Sequence, residues 1–258
     1  MAPCQYQGSS SMSKKIKALY LFISSLVIGI FHLSFAFAKS ATGNKLFYHH
    51  PASNNHPSDS LLLSPGSRSV YDSLQLQFRG LSRDAFAYAK QGFDRLLEEG
   101  RLLNDSIISI IDFSKPSSEK RLFILDMKNY RVIHQTLVSH GRNSGKEMAT
   151  QFSNQHSTYM SSPGFYITRE TYEGKNGYSL KLQGLEPGIN DNAYERGIVV
   201  HGAPYVTESY VQSQGYIGRS QGCPAVPAPQ AHAIINQIRN GSCLFIYHPS
   251  YISRSVIL

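Results

Sequence analysis

The stretch Gly218-Arg219-Ser220-Gln221-Gly222-Cys223-Pro224, with the apolar run Gly197-Ile198-Val199-Val200 that delivers His201-Gly202 before it, decides how the rest of the chain is read. The seven residues set one cysteine between a permissive glycine and a proline, with a fixed positive charge at Arg219. A proline ring drives the preceding residue towards extended backbone. Cys223 therefore belongs to a loop or strand and cannot open a helix as the papain-type nucleophile does. His201 ends a β-branched run and is a candidate for the base that a thiol needs. The plain alternative for both residues is structural, a small buried thiol and a satisfied imidazole. Agreement in chemistry between the Gly-Cys-Pro loop and the upstream His-Gly favours the functional reading.

Outward from this stretch, short β-branched runs recur: Ile107 to Phe113, Leu122 to Met127, Val132 to Ser139, Gly164 to Arg169, Tyr178 to Leu182, Ile198 to His201 and Cys243 to Tyr247. Glycine, asparagine and serine turns separate them, which predicts a mainly β sandwich or barrel rather than alternating strands and helices. Asp126 to Arg131, centred on Lys128-Asn129, reads as a hairpin turn. A late helix starts at Pro229, buries Ala231, Ile234, Ile235 and Ile238, and ends at Asn240-Gly241. Upstream, Ser82 caps a helix that carries Asp84 in its first turn and Phe86, Ala89, Phe93, Leu96 and Leu97 on one face until Gly100 stops it. Val70 to Phe78 forms a shorter amphipathic piece, so a helical pair is expected to lie against the β domain.

The N-terminal segment has a different character. Lys14, Lys15 and Lys17 precede an uncharged run of 21 residues, Ala18 to Ala38, closing in Ala36-Phe37-Ala38. This pattern is that of a secretory signal peptide over residues 1–38, with Met12 a more ordinary start than Met1. Left uncleaved, the run is long enough to span a bilayer, so membrane contact is expected only through this segment. Either outcome puts the remainder outside the cytoplasm. Residues 39–69, rich in Ser, Asn, His and Pro, read as a flexible linker, and residues 70–258 as the domain. His49, His50 and His56 lie in that linker with no second cluster to close a metal site.

The chain has 258 residues, 41% of them hydrophobic, and a formal net charge of +8. Without residues 1–38 it keeps 22 Lys and Arg against 17 Asp and Glu, a net +5. No basic run or aromatic-basic pattern supports nucleic acid as a partner, whereas an anionic polymer outside the cytoplasm suits the charge. Cys223 and Cys243 are the only cysteines beyond Cys4, too few for a disulfide framework, and no motif calls for a metal or other cofactor.

The run His201-Gly202-Ala203-Pro204-Tyr205-Val206, followed by Gly218-Arg219-Ser220-Gln221-Gly222-Cys223-Pro224-Ala225, resembles the catalytic signature of the murein L,D-transpeptidase (YkuD-type) family in its Arg-Ser-x-Gly-Cys-Pro-Ala branch. The likeness extends through Ile111 to Ser114, Leu137 to Gly145, Phe152 to Asn154, Ser162 to Tyr166 and Tyr178 to Leu180. The commoner pattern has Ser-His-Gly-Cys with Arg or Asn two places after the cysteine. Here Gln221 and Ala225 stand there, and the interval from His201 to Cys223 is longer. What the resemblance implies is a mainly β domain in the periplasm or cell envelope that acts on peptidoglycan stem peptides. Its cysteine attacks the bond between diaminopimelate and D-alanine, and an amine or water resolves the acyl-enzyme. On this carry-over Cys223 is the nucleophile, His201 the base, and Gly222 stands beside the oxyanion site.

Arg219, Ser220, Tyr205 and His140 are candidate substrate-binding residues. Arg219 is suited to gripping a carboxylate. His140 follows a strand in a Ser-His-Gly turn, where it either lines the cleft or supports it from behind. Tyr166 is a further candidate for the cleft wall, with core packing as its alternative, and Cys243 is expected inside the core, unbonded to Cys223. Two rival functions remain open: a carboxypeptidase or endopeptidase that hydrolyses the same acyl-enzyme, and a peptidoglycan-binding module with a vestigial thiol.

Overall fold

A computed structural model describes residues 70–258; the segments read as signal peptide and linker lie outside them. Eight strands form one sheet: β1 Ile107–Asp112, β2 Leu122–Asp126, β3 Arg131–Thr136, β4 Gly164–Gly174, β5 Gly177–Gly184, β6 Val199–Ala203, β7 Ala225–Pro227 and β8 Cys243–Tyr247. Their spatial order is β3-β2-β1-β8-β4-β5-β6-β7. Neighbours are antiparallel except the parallel pairs β1/β8 and β6/β7. Beyond β3 the chain turns towards β7, where Ser139 N donates to Ala225 O (2.8 Å) and Ala225 N to Ser139 Oγ (3.3 Å). These bonds bring the two edges together and nearly close the sheet.

Side chains alternate across the strands and give the sheet two apolar faces. Cys243, Phe245 and Tyr247 of β8, Phe165 of β4, and Ile108 and Ile110 of β1 face helix α1, Arg83–Glu98, which buries Phe86, Ala89, Phe93 and Leu96 against them. Leu244, Ile246, Tyr166, Leu180 and Val200 point the other way, towards Ala231, Ile234, Ile235 and Ile238 of the late helix. The N-cap of α1 is as expected, with Ser82 accepting from Ala85 N at 3.2 Å. So is the β2/β3 turn, where Asp126 accepts from Asn129 N (2.9 Å) and Arg131 Nε (3.0 Å).

Four features differ from the sequence reading. The segment from Val70 is helical only to Ser73 and then passes into turns, with Gln75 at φ 52°, so it forms a single helical turn before α1. β7, three residues ending in a proline, is too short to announce itself. β4 runs on past Arg169 because a register shift between Thr168 and Thr171 re-aims it out of the core, and its outer half is mostly exposed. A second helix, α2 Glu208–Gln214, capped by Thr207 and Gly215, fills the long interval between His201 and Cys223. The late helix, α3, spans Ala231–Ile238 with the four expected buried residues.

α1 reaches the sheet this closely because it carries glycine where the Phe165 ring lies. A Cβ on Gly92 would stand 2.0 Å from that ring, which is itself stacked on Phe245 at 4.2 Å. Gly92→Ala is therefore expected to lower stability by about 1–3 kcal/mol through overpacking, despite alanine's better helix propensity. Chemical denaturation followed by circular dichroism checks this; an unchanged midpoint would contradict the close approach.

Candidate functional site

Parallel pairing of β6 with β7 sets His201 opposite Ala225, two residues after Cys223, and so delivers thiol and imidazole to one end of the sheet. The loop before β7 is fixed at almost every residue. Gly218 N donates to Tyr205 O (2.9 Å), Ser220 N to His140 O (3.0 Å), and Arg142 N to Ser220 O (2.8 Å). Ser220 Oγ donates to Cys223 O (2.6 Å) and accepts from Gly222 N (3.0 Å). Gly222 has φ +119°, and a Cβ there would meet Met160 O at 2.8 Å, so only glycine fits. Its carbonyl accepts from Ser161 Oγ (3.0 Å), which in turn accepts from Gly141 N (3.0 Å). The cysteine is presented by a buried network spanning three loops.

Cys223 and His201 line a cavity of about 670 Å³ together with Tyr205, Arg219 and Ser220. The structure thus brings five of the expected site residues to one wall. Two others stand elsewhere. His140 is a correction as a substrate contact: it is wholly buried behind the wall, its Nδ1 accepting from Arg121 Nη2 (2.7 Å) and its Nε2 donating to Gly145 O (3.3 Å). Gly222 is beside the thiol, yet its N–H is spent on Ser220 Oγ (3.0 Å) and does not face the cavity as a free donor. Ser220 likewise commits its hydroxyl to the loop. Tyr166 is buried in the core, with its hydroxyl on Ser162 O (2.8 Å), and is not cleft wall.

His201 Nδ1 lies 2.9 Å from Gly202 O. A carbonyl only accepts, so Nδ1 carries the proton and Nε2 keeps the lone pair of a base. Burial holds the His201 pKa below its ordinary value, so the imidazole is neutral at rest. Burial also pushes the Cys223 thiol up, while hydrogen bonding from Val199 and the charges of Arg196 and Lys175 act in the opposite direction. The thiol donates weakly to Gly197 O at 3.7 Å. Thiol and imidazole are therefore both neutral at rest.

Charge on the cavity wall is one-sided. Arg142, Lys175, Arg196 and Arg219 all line it, and none of its described lining residues is Asp or Glu. Sequence reasoning singled out only Arg219 of these. Arg196 stands just before the apolar run of β6, and Lys175-Asn176 form the two-residue turn between β4 and β5, a signal visible as Gly-Lys-Asn-Gly. Arg121 gave no signal at all. It is fully buried, donates to Val138 O and Lys115 O as well as His140, and lies 4.7 Å over the Phe113 ring. Burial lowers its pKa to about 9, with Asp112 acting in the opposite direction.

His140 makes stability depend on pH. Its pKa is lowered to about 3, chiefly by burial and then by the Arg121 charge, against about 6.5 in an unfolded chain. Between those values the unfolded chain binds a proton that the folded one refuses, so stability present above pH 6.5 is lost as pH falls towards 3. His201 acts in the same direction. Urea denaturation at a series of pH values should show this loss, and His140→Gln should flatten it; an unchanged slope in the variant would remove His140 as the cause.

Both Cys223 and Cys243 are free thiols, and they pack in clusters on opposite faces of the sheet. The region from before α1 to the end of β8, residues 77–247, matches the family of L,D-transpeptidase catalytic domains. No match was found among curated proteins. Among solved structures, an L,D-transpeptidase from Mycobacterium smegmatis is similar at 12% identity and a TM-score of 0.36, over 55% of this chain and 59% of that one. L,D-transpeptidase 3 from Mycobacterium tuberculosis is similar at 11% identity and a TM-score of 0.35, over 55% and 61%. The chain thus covers less than two thirds of the length of either. The family match takes in more than half of the sequence, including both β6 and the cysteine loop, and the chain belongs to the family of L,D-transpeptidase catalytic domains.

Proposed function

We propose that the domain is a cysteine-dependent acyltransferase that acts on peptidoglycan stem peptides, with Cys223 as nucleophile and His201 as base. One observation carries this: a proton-accepting imidazole nitrogen and a thiol share a cavity whose wall is cationic, as an acidic peptide requires. Cys223 Sγ attacks the carbonyl between diaminopimelate and D-alanine as its proton passes to His201 Nε2. The oxyanion faces the Cys223 amide, and collapse expels D-alanine, whose amine takes the proton from His201. The resulting thioester is attacked by the side-chain amine of a second stem, whose proton passes to His201 and from there to the departing sulfur, leaving a 3→3 cross-link, a free thiol and a neutral imidazole. On this reading the segment 1–38 delivers the domain to the periplasm or cell envelope, where this polymer lies.

Incubation of the domain with tetrapeptide muropeptides, followed by mass analysis of products, tests the proposal. Cross-linked dimers with loss of D-alanine support it, and tripeptide alone would make the domain a hydrolase on the same acyl-enzyme. Binding without turnover, unaffected by Cys223→Ala, would make it a binding module. His201→Gln is expected to lower turnover by about 10²- to 10⁴-fold and to slow thiol alkylation. The acid limb of activity should fall below pH 6.5, since the imidazole must be neutral and burial depresses its pKa. A limb above 6.5 would argue against His201. A carbapenem should add once to the intact protein, in Cys243→Ala but not in Cys223→Ala, because Cys243 is buried with its thiol pushed far up.

A further inference from the structure

The four cations of the cavity wall are not equivalent. Arg196 spends Nη1 on Ser153 O (2.8 Å) and Ser162 Oγ (2.6 Å), and Nη2 on Met160 O (2.7 Å). Arg219 spends Nη1 on Arg142 O (3.2 Å) and Gly145 O (3.0 Å). Both guanidinium groups brace loops. The charged ends of Arg142 and Lys175, by contrast, donate to no protein acceptor among the described residues. Lys175, on the β4/β5 turn, is a compact charge on a flexible stem, and its field favours the Cys223 thiolate. Arg142 is held differently: its guanidinium lies 4.1 Å over the ring of Tyr159.

Tyr159 is in a costly conformation. Its φ is +54°, two residues after Ser157 at +58°, and side chains other than glycine, asparagine and aspartate adopt this region rarely. Asn143 holds it there, donating from its backbone N to Tyr159 O (3.2 Å) and from Nδ2 to Thr158 O (2.9 Å). The Tyr159 carbonyl comes so near Gly141 that a Cβ there would meet it at 2.4 Å. Backbone strain is thus maintained at the residue whose ring backs the one guanidinium of the wall that no acceptor among the described residues engages. A guanidinium stacked by its face keeps its N–H edge available, and that edge matches a carboxylate in two parallel hydrogen bonds.

We propose that Arg142, backed by Tyr159, is the specificity residue of this cavity and takes a carboxylate of the donor peptide. The assignment rests on the reading of Cys223 as nucleophile towards an acidic stem peptide, and moves the carboxylate grip from Arg219, which braces the cysteine loop, to its neighbour. Two carboxylates of a tetrapeptide donor qualify, that of the diaminopimelate side chain and that of the terminal D-alanine. They share the chemistry and are separable by amidation.

The test measures acyl-enzyme formation on Cys223 by intact-protein mass spectrometry with three tetrapeptide donors: the free acid, the diaminopimelate carboxamide and the C-terminal carboxamide. Wild-type protein should prefer the free acid over one of the two amides by about 10- to 100-fold in kcat/KM. Arg142→Gln should bring that ratio near one, mainly through KM for the acid, and Arg142→Lys should recover only part of it, since an ammonium cannot offer the planar fork. Lys175→Gln should lower the rate while keeping the ratio. Calorimetric binding of the same donors to Cys223→Ala, with and without Arg142→Gln, reads the preference without turnover. A ratio that survives Arg142→Gln, or one abolished by Lys175→Gln alone, overturns the inference while leaving the proposed chemistry intact. Failure of wild-type protein to be acylated by any donor overturns the chemistry and the inference together.

Discussion

The stitch between the turn after β3 and the loop before β7 is the constraint on which the rest depends. Ser139 N to Ala225 O, Ser220 N to His140 O and Arg142 N to Ser220 O are the bonds that bring the sheet's edges together. The same bonds fix Cys223, because the cysteine lies between Ser220 and Ala225. The bonds that close the fold are therefore also the bonds that place the cavity's thiol. Arg121 underwrites it from inside by occupying Val138 O and His140 Nδ1 at once. An unbuttressed carbonyl and imidazole at this depth would each forfeit a hydrogen bond, a loss of about 1–3 kcal/mol per group. A buried guanidinium is costly by itself, and the ring of Phe113 beneath it offsets part of that cost.

Electrostatics in the cavity reconcile two opposed needs. Removing water from the thiol disfavours its ionised form, yet attack requires sulfur with the charge of a thiolate. The wall answers with field rather than with a contact ion pair: Arg196, itself anchored to three acceptors, and Lys175 on its turn both act on the sulfur without donating to it. Arg196, held by its three acceptors, is a fixed charge whose field favours the ionised sulfur without rearrangement, whereas Lys175 acts from a flexible stem.

The core strands were legible because their side chains are apolar on both faces; β1, β2 and β8 are buried at every residue, and runs of that kind stand out from the turns between them. α1 and α3 were legible through their helical spacing. The outer half of β4 was not, since it leaves the core and its sequence, Glu170 to Gly174, carries no pattern of burial. That Cys223, His201, Arg219 and Tyr205 share one cavity was legible because they stand beside glycines and prolines around the ends of β6 and β7. For His140 the sequence left cleft lining and support from behind both open, and its burial decides for support, since nothing local reveals that Arg121, 19 residues away, donates to its ring. Arg142 and Tyr159 were illegible for a related reason: they lie far apart along the irregular connection between β3 and β4, whose path no local pattern reveals.

The interval between His201 and Cys223 has a further consequence. Val206 and Ile217 bury its two ends in a small cluster with Leu137, Ala203 and Ala225, while α2 between them contributes no buried residue. His201 and Cys223 are therefore held to the sheet at both sides of an excursion whose middle packs on it only through the partly buried Val211. Changing the length of such a segment costs little, since closure entropy grows only slowly with the number of residues spanned. Substitutions at the exposed positions of α2 therefore leave in place the bonds that hold His201 and Cys223 to the sheet.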